Sequence, residues 1–146
     1  MPEKLLKGKK AIVTGGARGL GKEIAEAFLR EGARVWCIDL MASEFASEME
    51  ALAREHGVTV SWSQADVTRE AEITAVLEGI LRDSGGIDIL VNNAGITRDK
   101  LLFRMTLEDW EKVLAVNLTS VFLISKVVAR EMTRAHGGSI INMSSI

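Results

Sequence analysis

The chain has 146 residues, 47% hydrophobic and 26% charged, a balance that argues against a disordered or membrane-spanning protein and predicts a single domain. Its 18 basic and 20 acidic residues give a net charge of −2, which offers no electrostatic footprint for nucleic acid or a membrane surface. A single cysteine and a polar N-terminal decapeptide argue against a disulfide framework and a secretory signal, so we expect a cytoplasmic protein.

Short β-branched runs alternate with longer amphipathic stretches along the chain. This alternation is typical of βα units, in which helices cover both faces of a parallel sheet. Five strands are predicted, at Lys10 to Thr14, Arg34 to Asp39, Thr59 to Gln64, Ile87 to Asn92 and Ser139 to Met143. Five helices are predicted between them, at Leu20 to Glu31, Glu44 to His56, Arg69 to Asp83, Leu107 to Val116 and Ser120 to His136.

Residues that commonly cap helices support these boundaries. Thr106 precedes two acidic residues and is expected to cap the fourth helix at its N-terminus. Left-handed caps are expected at the glycines that follow the other helices, namely Gly32, Gly57, Gly85 with Gly86, and Gly137 with Gly138.

The rarer residue types favour structural roles. Trp36, Trp62 and Trp110 fall on strands or an amphipathic helix, which predicts core packing. Cys37 lies among apolar neighbours, which favours a buried thiol over a nucleophile. The two histidines lie at helix ends without the spacing of metal ligands, so no metal site is predicted.

The segment TGGARGLG, Thr14 to Gly21, follows the first strand and opens the first helix. Its glycines at 15, 19 and 21 allow a tight turn and a close approach of backbone to a ligand, beside helix N–H groups that favour an anion. The same glycines could form a purely structural turn. Its place at the start of a βαβ unit favours the diphosphate of a dinucleotide.

Two charged residues bear on which dinucleotide would bind. Asp39 ends the second strand, 18 positions after Gly21 (39 − 21 = 18), where an acidic side chain can hold a ribose 2′-hydroxyl and repel a 2′-phosphate. Arg18 could instead pair with a 2′-phosphate. We weight Asp39 more heavily and expect NAD(H), with NADP(H) possible through Arg18; a helix cap for Asp39 and a solvated charge for Arg18 are the alternatives.

Polar and small residues also follow the third and fourth strands. Asp66 could accept a hydrogen bond from adenine or cap the helix that follows. The VNNAG segment places Asn93 before two small residues, which suits a ribose and equally suits a simple turn. Both segments lie at the carboxyl edge of the sheet, where open parallel sheets bind ligands.

Together TGGARGLG, Asp39, the Asp66-Val67 pair and NNAG resemble the short-chain dehydrogenase/reductase family. The segments NNAGITRDKLLFRM, NLTSVF and GGSIINMSS resemble its 3-oxoacyl-acyl-carrier-protein reductase branch. The resemblance covers essentially the whole chain and implies an α/β Rossmann-type fold, a doubly wound parallel sheet in the order 3-2-1-4-5, with residues 1–146 forming the dinucleotide-binding part of a single-domain enzyme.

The resemblance also implies roles for individual residues. Gly15, Arg18, Gly19, Leu20 and Gly21 would wrap the diphosphate, Asp66 and Val67 the adenine, and Asn93, Ala94 and Gly95 the ribose beside the nicotinamide. Asn117 would kink a helix and anchor a proton-relay water, although it could also be only a polar break between helices. Ser145 would hydrogen-bond the substrate oxygen, although serines at a strand end are often turn formers.

The family's Tyr-x-x-x-Lys pair is expected on the helix after Ser145, but the sequence ends at Ile146 and contains no tyrosine. We therefore expect the 146-residue chain to be nearly inactive and to be the N-terminal part of a longer enzyme. The family's fifth strand is interior, whereas here it would be an apolar sheet edge, which supports the same expectation.

The resemblance implies an oxidoreductase of fatty acid biosynthesis that reduces a 3-oxoacyl thioester or similar ketone to a secondary alcohol by hydride transfer. The alternative is a truncated, non-catalytic dinucleotide-binding module. An acyl carrier protein could dock on Arg130, Arg134 and His136, or these residues could only complement a helix dipole. Apolar residues from Leu114 to Val128 cover more than one stripe of the helix surface, which suggests a subunit interface. Because members of the family commonly form tetramers through such helices, the resemblance implies a homotetramer.

Overall fold

The computed structural model describes residues 3–145; residues 1, 2 and 146 lie outside it, and so do both ends of the predicted 1–146 domain. The strands are β1 (Lys10–Thr14), β2 (Arg34–Asp39), β3 (Val60–Gln64), β4 (Ile89–Asn92) and β5 (Ser139–Asn142). The helices are α1 (Gly19–Arg30), α2 (Ala46–Glu55), α3 (Glu70–Ser84), α4 (Leu107–Leu114) and α5 (Ser120–Arg134). Each predicted element is present; β1 and β2 have the predicted boundaries, and the other boundaries differ by at most two residues.

All four strand pairings are parallel, and the sheet order is β3-β2-β1-β4-β5. This confirms the predicted fold class and strand order. The order reverses between β1 and β4, whose register pairs Val13 with Val91. The carboxyl ends of these two strands therefore diverge into loops on either side of a crevice, the usual ligand position in an open α/β sheet.

Two apolar clusters, one on each face of the sheet, form the core. On one face Ile12, Ile38 and Leu90 pack with residues of α3 and α5, such as Leu77 and Val128. The opposite face packs against α1 and α2. Because both faces are covered, the inner positions of the central strands β2 and β4 are buried apolar residues, which explains the apolar runs VWCI and ILV.

Helix ends follow the predicted signals with one correction. Thr106 caps α4 as predicted: its hydroxyl accepts from the Asp109 N–H at 3.1 Å, while the Asp109 carboxylate accepts from the Thr106 N–H at 3.2 Å. The left-handed cap after α5 was predicted at Gly137 and Gly138, but it falls on His136, with φ +58°. Histidine is one of the few side chains that adopt this conformation with some frequency.

A π-helical turn, Ala115–Thr119, joins α4 to α5, where the sequence analysis left open a kinked helix or a break between two helices. A short 3₁₀ turn, Leu102–Arg104, precedes α4. Trp36 is buried as predicted, but Trp110 is 53% exposed, so its predicted core position is wrong. Trp110 belongs to an exposed row, here called the apolar stripe, that comprises Trp110, Leu114, Leu118 and Phe122.

Candidate functional site

The loop between β1 and α1 depends on three glycines with different tasks. Gly15 has φ +68°, and a Cβ there would come within 2.9 Å of the Asn93 Nδ2. Gly21 is buried beneath the loop, where a Cβ would overlap the carbonyl oxygen of Gly15. Gly19 has φ +56°, and a Cβ there would meet no atom within 4 Å. Gly15 and Gly21 thus allow close packing, whereas Gly19 faces open space.

The N-terminus of α1 has features that favour binding of a negatively charged group. Its N-cap residue, Arg18, makes no side-chain capping hydrogen bond, and the first turn contains no acidic residue. The first N–H groups of a helix have no intrahelical partner and carry the positive end of its dipole. An anion beside Gly19 would satisfy them.

The hydroxyl of Thr14 joins the glycine loop to the segment after β4. The backbone N–H groups of Asn93 and Ala94 both donate to Thr14 Oγ1, each at 3.0 Å. In turn, Asn93 Nδ2 donates to the carbonyls of Thr14 and Gly15, at 3.2 and 3.3 Å. The two loops that flank the crevice are therefore held together at its centre.

A cavity of about 380 Å³ lies at this crevice. Of the eleven residues predicted to bind a dinucleotide, ten line it, namely Gly15, Arg18, Gly19, Leu20, Asp39, Asp66, Val67, Asn93, Ala94 and Gly95. Gly21 is the exception, because it packs under the loop. Six further lining residues were not assigned from the sequence, namely Ile38, Leu40, Met41, Ala65, Ile96 and Val116. Leu40, Met41 and Ala65 directly follow strand ends, which was the available signal.

Asp39 lies at the end of β2 with its carboxylate hydrogen-bonded to backbone. Oδ2 accepts from the Ala17 N–H at 3.0 Å, and Oδ1 accepts from the Met41 N–H at 3.1 Å. Each carboxylate oxygen has a second acceptor site, so the group retains capacity for a ligand hydroxyl. The alternative that Asp39 caps a helix is wrong, since α2 begins at Ala46.

Asp66 forms a local turn at the far end of the cavity. The backbone N–H and the hydroxyl of Thr68 donate to Asp66 Oδ1 at 2.9 and 2.7 Å, and the hydroxyl bond is the main cause that lowers the pKa of this carboxyl. The N-cap position of α3 is Arg69 and has no side-chain cap, so Asp66 does not cap that helix by its side chain.

A second cavity of about 540 Å³ adjoins the first and shares Leu20, Asn93, Ala94, Gly95 and Ile96 with it. It is also lined by Asn117, Ser144 and Ser145. The structure thus places both predicted catalytic residues, Asn117 and Ser145, beside one cavity, although they lie on the π-helical turn and after β5.

The side chain of Asn117 holds the segment after β4 by two hydrogen bonds. Its Oδ1 accepts from the Ile96 N–H, and its Nδ2 donates to the Ile96 carbonyl, both at 2.8 Å. Because a backbone N–H can only donate and a carbonyl can only accept, these partners determine the orientation of the amide. Asn117 is therefore more than a polar break between helices.

Cys37 lies under the glycine loop and is buried. Burial, with a smaller contribution from the charge of Asp39, raises its pKa to about 12, so the thiol stays protonated and is a structural residue as predicted. Among residues 3–145, no group of three or more His, Cys, Asp or Glu side chains is arranged to hold a metal ion.

Comparison with known proteins identifies the class. The family model for short chain dehydrogenase matches residues 9–146, and the chain belongs to this family. Its curated relatives include the 3-oxoacyl-acyl-carrier-protein reductase FabG of Chlamydia trachomatis, 43% identical over 144 residues, and that of Vibrio cholerae, 46% identical over 141 residues. The predicted branch of the family is thereby confirmed.

These alignments cover 97% of this chain but only 57% and 56% of the two relatives, so the chain spans a little more than half of their length. Among solved structures, NAD⁺-bound xylitol dehydrogenase is similar with a TM-score of 0.89 and 32% sequence identity, over 97% of this chain and 55% of that one.

Proposed function

We propose that this chain is the dinucleotide-binding part of an NAD(P)-dependent reductase that converts the ketone of a 3-oxoacyl thioester to a secondary alcohol. Residues 1–146 would form one dinucleotide-binding domain within a cytoplasmic enzyme. The names of the curated relatives support the substrate class, and the NAD⁺-bound structural neighbour supports the cofactor class.

One observation carries the proposal. Two cavities meet at Asn93, Ala94 and Gly95, and one contains the glycine loop while the other contains Ser145. A dinucleotide that lies in the first cavity would reach the second with its nicotinamide end. The fit is supported by the open space at Gly19 and by the uncapped, acid-free N-terminus of α1.

The residues of the first cavity would bind and orient the cofactor. The N–H groups of Gly19 and Leu20, with Arg18, would hold the diphosphate, while Asp66 and Val67 would flank the adenine. Asp39 would accept from the ribose 2′-hydroxyl and repel a 2′-phosphate, so we propose a preference for NAD(H). When bound, the nicotinamide supplies the hydride that the reduction requires.

In the second cavity Ser145 would donate a hydrogen bond to the substrate carbonyl and stabilise charge on that oxygen as the alkoxide forms. Asn117 holds Ile96, which lines both cavities, so it would keep the floor of the site in place. An acyl carrier protein is the proposed carrier of the substrate. The exposed Arg130 of α5 would meet its acidic surface, whereas Arg134 pairs with Glu131 at 2.7 Å.

The test is direct titration of the intact protein with NADH and NADPH, followed by reduction of a 3-oxoacyl thioester carried on acyl carrier protein or on coenzyme A. Gly19→Ala and Gly57→Ala form a matched pair, because both glycines have positive φ and open space around a Cβ. Both variants should unfold at slightly lower temperature, from equal backbone strain. Only Gly19→Ala should weaken NADH binding, by about tenfold or more, because the new methyl group occupies space proposed for the diphosphate.

Three results would contradict the proposal. Absence of binding of either dinucleotide to the intact protein would remove its basis. Equal NADH affinity of the two variants would show that the diphosphate does not lie at Gly19. Binding without reduction of any 3-oxoacyl thioester would favour a non-catalytic dinucleotide-binding module instead.

A further inference from the structure

The residue at the centre of the glycine loop, Ala17, is held by the segment that follows β2. Ala17 is 3% exposed. Its N–H donates to Asp39 Oδ2 at 3.0 Å, and its carbonyl accepts from the Ser43 hydroxyl at 2.7 Å. One loop residue thus has both backbone polar groups bound by side chains 22 and 26 positions away.

The Ser43 hydroxyl both donates and accepts a hydrogen bond in this arrangement. It accepts from the Phe45 N–H at 3.1 Å, at the start of α2, and its own proton is directed to Ala17 because a carbonyl oxygen cannot donate. Phe45 is in turn in contact with α1, since the Lys22 ammonium lies 4.8 Å from its ring centroid. Ser43 is therefore fixed in position by α2 and connects α2 to the glycine loop.

The hydrogen bond to Ser43 determines the orientation of one peptide group. In a planar trans peptide the C=O and the following N–H point in opposite directions. The Ala17 carbonyl points to Ser43, so the Arg18 N–H points away from Ser43. Arg18 is the N-cap of α1 and lines the first cavity.

We propose that Ser43 is a positioning residue for dinucleotide binding, which acts by holding the Ala17–Arg18 peptide in the orientation that the diphosphate requires. The inference rests on the proposed function, because it concerns the same cavity. Ser43 itself does not line that cavity. Its effect would pass through the loop to the diphosphate, a group that NADH and NADPH share.

This property separates Ser43 from Asp39, which also binds Ala17 but lines the cavity and would contact the adenosine ribose. Loss of the Ser43 hydroxyl should weaken the binding of NADH and the binding of NADPH by the same factor. Loss of the Asp39 charge should change the ratio of the two affinities.

The experiment measures dissociation constants of the intact protein for NADH and NADPH by isothermal titration calorimetry. Ser43→Ala should bind both about tenfold more weakly, as expected for an oriented carbonyl that loses its donor. Ser43→Thr, which keeps a hydroxyl, should bind both within about twofold of the wild type. Ser47→Ala is the matched control, since Ser47 is an exposed serine of α2. Asp39→Asn should raise the affinity for NADPH relative to NADH.

The outcomes separate the two proposals. A wild-type protein that binds neither dinucleotide would overturn the proposed function itself. If the wild type binds and Ser43→Ala stays within twofold, or if Ser43→Ala alters the NADH to NADPH ratio, the role of Ser43 is refuted. Should Ser43→Ala unfold, Ser43→Cys decides, because its thiol is a weak donor of similar size. Wild-type affinity in the cysteine variant would refute the role as well.

Discussion

Gly21 shows how a residue can be required by a site without lining it. A Cβ at this position would overlap the Gly15 carbonyl oxygen and lie against the Asn93 amide. Both neighbours belong to the two loops that form the crevice, and neither can move without displacing the other. The absence of a side chain at Gly21 is therefore what allows α1 to start directly beneath the first cavity.

Gly21→Ala should lower the free energy of unfolding by about 2 kcal/mol, the usual cost of forcing extra volume into a packed region. Gly79→Ala is the matched control in the interior of α3, where the nearest atom to a Cβ is the Arg82 Nη2 at 3.9 Å. That variant should raise the free energy of unfolding by about 0.5 to 1 kcal/mol, because alanine favours a helix. Urea unfolding measures both, and equal effects would contradict the assignment.

At the scale of one element, α4 depends on its N-terminal cap. The Asp109 carboxylate accepts from the Lys100 ammonium at 2.7 Å and from the hydroxyl and backbone N–H of Thr106. The Lys100 bond is the largest cause, followed by those of Thr106, and together they lower the pKa of Asp109 from 3.8 to about 2. The cap thus joins α4 to the loop that precedes it.

The capping interaction predicts a pH dependence of stability. Because the folded state lowers the pKa of Asp109, it favours the ionised form, and its contribution is complete above about pH 4 and lost as the pH falls towards 2. The melting temperature of Asp109→Asn should therefore vary less than that of the wild type over this range. Glu108→Gln removes an exposed carboxylate of the same turn. If both variants flatten the curve equally, the specific role of Asp109 is wrong.

At the scale of the whole molecule, the apolar stripe is an exposed surface that has no role in the cavities. The helical stretch Leu107–Arg134 has 28 residues and, by length and composition alone, could cross a membrane. Of its most apolar window, 22% is buried inside the structure. One face of α5 packs on the sheet through Ile124, Val128 and Met132. We propose that the stripe on the other side forms a contact between subunits, in the tetramer that the family resemblance implies.

Sedimentation velocity tests this proposal. The intact protein should sediment as an oligomer, and Leu118→Arg should reduce the sedimenting mass, because a guanidinium would be buried at the contact without a partner. Leu118 is 63% exposed. Leu5→Arg is the control, since Leu5 is 83% exposed and far from the stripe in sequence. A monomeric wild type, or an oligomer insensitive to Leu118→Arg, would contradict the proposal.

Local patterns predicted the elements well, because the central strands β1, β2 and β4 are buried and each contains a short apolar run. The strand order came from the family resemblance, since alternation alone does not determine which strands pair. Most cavity-lining residues were predictable because they directly follow strand ends. Leu40 and Met41 were missed because apolar side chains at such positions have no chemical signature.

Local sequence patterns could not predict the contacts between residues that are distant in the chain. The bonds of Asn117 to Ile96 and of Ser43 to Ala17 join positions 21 and 26 residues apart, and nothing in either segment alone indicates the partner. Trp110 was misassigned for a related reason. An amphipathic pattern shows that a helix has an apolar face but not whether the protein's own core covers that face.

The Thr14 hydroxyl accepts hydrogen bonds from the backbone N–H groups of both Asn93 and Ala94, and these bonds affect how a bound ligand dissociates. Because these hydrogen bonds hold the two flanking loops together at the middle of the crevice, the loops are not free to separate there. A bound ligand would therefore leave through the ends of the crevice. One end is bordered by Leu40 and Met41, both largely exposed, and the other by Thr97 and Asp99. We therefore expect the dissociation rate of a ligand to depend on these two ends of the crevice, while the hydrogen bonds to Thr14 stay intact.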